Sequence, residues 1–108
     1  MQGRTLEAAA RLEALANELR SNILLRSELL AQAGQAWHQA GESERAIFIY
    51  SLAVNISPSD PDIRIDRAMV HAERGQYEMV IDDLNVALAA NPLMVQALIL
   101  RASANRHL

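Results

Sequence analysis

The residues of this chain with chemistry to offer are three histidines, a few clustered carboxylates and ten arginines. Two histidines at i and i+4 of one helix can present their imidazoles to one metal ion. No two of His38, His71 and His107 share such a face, so packing or solvation is the role expected of each, with His71 packed inside its own helical pair. Asp60, Asp62 and Asp66 suggest a calcium loop, but the Gly and closing Glu that such a loop needs do not follow. Asp82 and Asp83 are neighbours, and neighbours on a helix point about 100° apart, which favours capping and ion pairing over acid–base work. A phosphate-cradling P-loop requires Lys, and the chain has none. It also has no Cys, no Gly-x-Gly-x-x-Gly and no Ser in a nucleophile elbow. These residues predict no enzyme, no metal and no cofactor.

Composition narrows the rest. With 51% hydrophobic and 21% charged residues, the 108-residue chain is too apolar for disorder and long enough for one modest core. No apolar run approaches the roughly 18 residues of a membrane-spanning helix, and the opening Met1-Gln2-Gly3-Arg4-Thr5-Leu6 lacks a signal-peptide core, so no membrane insertion is expected. A net charge of −3 argues against nucleic acid, whose binding rests on neutralised phosphates. That every basic residue is Arg fits high-GC coding in a bacterial source. The address stays open, with the cytoplasm preferred and the periplasm left for a chain whose signal was removed. The sequence also reads as a segment of something longer.

These residues sit on a repeat. A shift of 34 residues lays Gly41 on Gly75, Ile47 on Ile81, Ala53 on Ala87 and Pro58 on Pro92, and carries Ile65, Arg67 and Ala68 onto Ile99, Arg101 and Ala102. The units are residues 27–60 and 61–94, followed by the opening half of a third at 95–108. Apolar or small residues recur at helical spacing through Leu30, Ala33, Gly34 and Trp37, then through Ala46, Ile47, Tyr50, Ala53 and Val54, with Gly41 between the runs. Each unit is therefore expected to be two short helices about a Gly turn. The exits are marked by Ser57-Pro58-Ser59-Asp60-Pro61 and Asn91-Pro92, with Asp60 capping the next helix and Pro61 in its first turn.

The 34-residue period, the small residue midway along the first helix, the turn Gly, the Ala of the second helix and the closing Pro resemble the tetratricopeptide repeat. Gly34, Gly41, Ala46, Tyr50, Ala53 and Pro58 carry the resemblance in the first unit, and Ala68, Gly75, Tyr77, Ala87 and Pro92 in the second. It implies an all-α fold, a right-handed superhelical stack of antiparallel helix pairs with an N-terminal helix. Residues 1–26 would be that capping helix or half of a degenerate repeat; Leu6, Ala9, Leu12, Leu15, Ala16, Leu19 and Ile23 give it an apolar stripe. A break is expected near Ser21-Asn22 or at Ser27. Arg67 and Arg101 stand where the family has apolar residues, and Asp83 is the carboxylate expected to meet them.

Small residues let paired helices approach, so Gly34 is expected to face Ala53, and Ala68 to face Ala87. In the family the first helices of successive pairs line a groove that holds a protein or peptide. The resemblance places Glu28, Ala31, Gln35 and His38 on that surface, then Asp62, Ile65, Met69 and Glu73, then Gln96, Ile99 and Ser103. Ile65 and Met69 are expected to be partly exposed there. The Lys and Asn clamp that some members close on a carboxylate is absent, which favours a peptide with apolar anchors. Ordinary solvated helix faces are the alternative. A second role is self-assembly: Leu98, Ala102 and the stem of Arg101 belong to a first helix without its partner, and such a patch could form a homodimer.

Overall fold

In a computed structural model, residues 2–18 and 22–108 are described, and every regular element among them is helical. The chain divides into two compact units, residues 1–58 and 59–108. The first holds α1 (Gln2–Glu18), α2 (Ile23–Gln39) and α3 (Ser43–Ile56); the second holds α4 (Pro61–Glu73), α5 (Tyr77–Ala90) and α6 (Val95–Asn105). Packing is sequential: α1 on α2 and α2 on α3 in one, α4 on α5 and α5 on α6 in the other. The fold class is thus all-α, built from consecutive helix pairs. Leu19 and Ser21 lie outside the described residues.

Both Gly turns close by one hydrogen-bond pattern. At the end of α2, Glu42 N–H donates to the Trp37 carbonyl at 2.9 Å and Gly41 N–H to that of His38 at 3.0 Å. At the end of α4, Gln76 N–H reaches His71 at 2.9 Å and Gly75 N–H reaches Ala72 at 3.1 Å. This pair of bonds needs a left-handed residue two places past the helix's last residue, and Gly41 (φ 83°) and Gly75 (φ 71°) supply it without a Cβ clash. The short reversal turns each first helix back against its second. Asp60 accepts from the N–H groups of Asp62 and Ile63, with Pro61 opening α4 as expected.

Of the two breaks expected, the chain takes the earlier: α2 starts at Ile23, one turn before Ser27, because Asn22 caps it by accepting from Leu25 N–H at 3.1 Å. Ser27 lies buried within α2, where its hydroxyl accepts from that of Ser57 at 3.0 Å. On α1 the buried positions are Ala9 and Ala16, while Leu15, placed on the stripe by spacing, faces solvent, as does Ile23 of the same stripe, which opens α2. At Gly34 the nearest side chain is that of Tyr50, which is itself buried: a Cβ at residue 34 would fall 2.8 Å from its ring carbons. The small residue leaves room for an aromatic ring beside the helix. α1 is tied to α3 by an Arg45–Glu13 ion pair, and the Arg45 guanidinium stands over Phe48 and Trp37 at 5.1 and 5.9 Å from the ring centroids.

The second unit is organised around Ile65 and Ala68 of α4, Val80, Leu84, Ala87 and Leu88 of α5, and Ala97 and Ala104 of α6. Ala68 and Ala87 are fully buried in this one cluster. Beside it, Asp83 is 1% exposed and accepts from Arg67 at 2.8 and 2.6 Å and from Arg64 at 3.0 Å. Two guanidinium groups thus hold one buried carboxylate, and Arg64 is the member that the repeat register did not single out. Arg101 is not part of it and donates instead to Asn85 at 3.1 Å. The carboxylate is already occupied from α4, leaving Arg101 the polar side chain two places further along α5.

Candidate partner-binding groove

The groove lies within the second unit, between first-position helices. On α4, the positions facing α5 are taken up by Ala68 and Arg67, and Met69 emerges beside them at 37% exposure. On α6, Ala97 and Ala104 turn into the core, so Gln96, Ile99 and Ser103, which recur at three- and four-residue spacing, come to the other side. Met69, Val95, Gln96, Ile99, Leu100 and Ser103 enclose an open groove of about 490 Å³. The Gln96 side-chain amide reaches across to the Met69 sulfur at 3.6 Å. Four of the six lining residues, Met69, Gln96, Ile99 and Ser103, are positions expected from the repeat register.

Val95 and Leu100 are additions. Val95 lies one turn before Ile99 and Leu100 one turn after Gln96, so helical spacing alone carried the signal. Ile65 is a correction: it is 3% exposed and belongs to the core cluster that α4 shares with α5 and α6. Asp62 and Glu73 are exposed on α4 to either side of Met69. In the first unit Glu28 and Gln35 are exposed and Ala31 and His38 half-buried on α2.

His71 is buried and its Nδ1 donates to the Gln76 carboxamide oxygen at 2.8 Å. His107 stacks on Tyr77 with ring centroids 4.3 Å apart and donates to the Ser103 carbonyl at 2.9 Å. Asp83 points inward while Asp82 is exposed. Among the described residues no three His, Asp or Glu side chains converge, and no helix is long and apolar enough to cross a membrane.

At the far side of α6, Leu98 is 41% exposed and Ala102 is also exposed. Their counterparts one and two repeats earlier, Arg64 and Ala68 in α4 and Leu30 and Gly34 in α2, are covered by α5 and α3, with Arg64 half-buried and the other three fully buried.

No protein-family model matches the chain. Human mitochondrial import receptor subunit TOM70 is 28% identical to it over 92 residues, which is 81% of this chain and 15% of that protein. The chain therefore corresponds to a small part of that relative's length. Six helices in consecutive pairs and this similarity are compatible with tetratricopeptide-like repeats.

Proposed function

We propose that this chain is a protein-interaction module, without catalysis of its own, whose α4–α6 groove takes a protein or peptide partner. The observation that carries the reading is the placement of exposed Met69, Val95 and Ile99 around one groove with only Gln96 and Ser103 as polar lining. Aliphatic and thioether side chains there offer adaptable contact area that solvent does not favour. The corresponding α2 positions, Glu28, Ala31, Gln35 and His38, offer a second patch in the first unit. Similarity to a protein named as a receptor subunit agrees with a binding role. The test is selection of binders from a displayed peptide library. Peptides so recovered should lose binding to a Met69→Glu/Ile99→Glu variant that keeps its helical circular dichroism. Undiminished binding to that variant would move the site elsewhere.

A second reading, self-assembly through α6, is favoured by Leu98 and Ala102, whose repeat counterparts are covered by a second helix. Light scattering over a wide concentration range should then show dimers that Leu98→Glu dissociates, because it places an unpaired charge in the interface. A monomeric mass up to about millimolar protein would eliminate this reading, a weak symmetric dimer being the least it requires.

A further inference from the structure

The second helix of each pair is buried through one set of positions. α3 packs on α2, and α5 packs on α4. The buried residues of α3 are Ala46, Ile49, Tyr50, Ala53 and Val54; those of α5 are Val80, Asp83, Leu84, Ala87 and Leu88. The same 34-residue shift that relates the repeats carries each of the first set onto its counterpart in the second. Both faces therefore follow the helical spacing i, i+3, i+4, i+7 and i+8. Four of these positions are apolar or aromatic in both helices. Only the i+3 position changes character, from Ile49 to Asp83.

That change accompanies a change in the first helix at one register position. Where α2 has buried Ala33, α4 has Arg67, which forks its Nε and Nη2 onto the Asp83 carboxylate at 2.8 and 2.6 Å. One repeat further along, α6 has Arg101. Its Nη1 donates to the neutral Asn85 carboxamide at 3.1 Å, while Nε and Nη2, the pair that Arg67 commits to Asp83, have no partner among the described residues. Leu98 and Ala102 beside it are exposed, although their counterparts in α2 and α4 are covered by α3 and α5. The α6 face thus has two covered counterparts within the same chain, and Arg101 matches the one that is met by a carboxylate.

We propose that the α6 face of Leu98, Arg101 and Ala102 takes an acidic amphipathic helix of a partner protein, built like α5: apolar at i, i+4 and i+8, Ala at i+7, and Asp or Glu at i+3 to meet Arg101. The carboxylate accepts from Nε and Nη2 together, as in Arg67–Asp83, a two-bond geometry that a neutral or basic side chain does not reproduce. A second copy of α6, the occupant in the self-assembly reading, brings no carboxylate, because Arg101 is the one charged residue of that helix. Leu98 and Arg101 do not line the α4–α6 groove, so variants at these positions leave its lining intact.

The experiment uses fluorescein-labelled synthetic helices with the sequence of residues 76–91, in three forms: Asp83 kept, Asp83→Asn and Asp83→Arg. Anisotropy titration against the full chain should give the Asp helix a Kd about tenfold lower than the Asn helix, the difference between charge-assisted and neutral hydrogen bonding. The Arg helix should bind more weakly still. Arg101→Met should erase the preference for Asp over Asn, and Leu98→Glu should remove binding of all three. Both variants change an outward face, and retained helical circular dichroism checks that they fold. Equal binding of the Asp and Asn helices, or an Asp preference that survives Arg101→Met, would overturn the assignment of Arg101. Binding of none at about millimolar concentration, or binding undiminished by Leu98→Glu, would overturn the site. Dimers in light scattering that the Asp helix does not displace would give the face to a second copy and overturn the proposal as well. A monomeric chain that binds the Asp helix would support it and remove only the self-assembly reading.

Discussion

The buried carboxylate of Asp83 allows a demanding test of how the second unit is held. Asp83→Ala removes the acceptor of three charge-assisted bonds, two from Arg67 and one from Arg64. The carboxylate is 2% exposed and the two arginine side chains 18% and 16%, so the guanidinium groups regain only part of their hydration. Breaking a buried pair from one side costs about 3–5 kcal/mol, and partial access to water places this case near 3 kcal/mol. Against a total of about 5–15 kcal/mol for a chain of this size, that is a large fraction. Thermal unfolding followed by circular dichroism should show a midpoint lowered by about 12–24 °C, at roughly 4–8 °C per kcal/mol. The triple variant Arg64→Met/Arg67→Leu/Asp83→Leu removes both signs of charge and should recover most of the loss, since well-packed apolar side chains commonly match a buried ion pair. A loss below about 1 kcal/mol in Asp83→Ala would show that the arginines swing into water, as exposed pairs do, and that this carboxylate does not hold α4 to α5. A triple variant as unstable as the single one would instead assign the loss to shape.

Other expectations can be checked by the same unfolding measurement. Gly34→Ala should cost about 1–3 kcal/mol, because its Cβ meets the buried Tyr50 ring at 2.8 Å; a gain of about 1 kcal/mol, the helix-propensity difference, would show that the ring yields freely. Gly75→Ala, at φ 71°, should cost about 1–2 kcal/mol in left-handed strain, and a neutral result would mean that the turn rearranges. Asp60→Ala should cost about 1 kcal/mol through the lost cap of α4. Ile65→Ala should cost about 2–5 kcal/mol as a core truncation, whereas Met69→Ala should cost no more than about 1 kcal/mol; similar losses at the two sites would contradict their opposite exposures.

The local punctuation of this chain was legible in its sequence, because the physics that sets it acts over a few residues. Gly41 and Gly75 mark left-handed turns wherever the helices go, and Asp60-Pro61 caps and opens a helix from its own side chain and ring. Asn22 carried the same kind of signal at the start of α2, but Ser27, at the repeat's expected boundary, competed with it. The contact of Arg67 with Asp83 was also foreseeable, since an Arg at an apolar position requires a carboxylate nearby. What spacing could not decide was which neighbour each face would meet. Ile65 and Met69 are one turn apart on the same side of α4, yet the core takes in the first and leaves the second at the groove. Gly34 marks a close approach, but only packing shows that the Tyr50 ring is the nearest group there. Arg64 and Arg67 are both within reach of Asp83, and their joint occupation of it turns Arg101 to Asn85. Periodicity fixes the angle at which a side chain leaves its helix; the crossing of a third helix, set by contacts distant in the chain, decides whether that side chain ends in the core or in water.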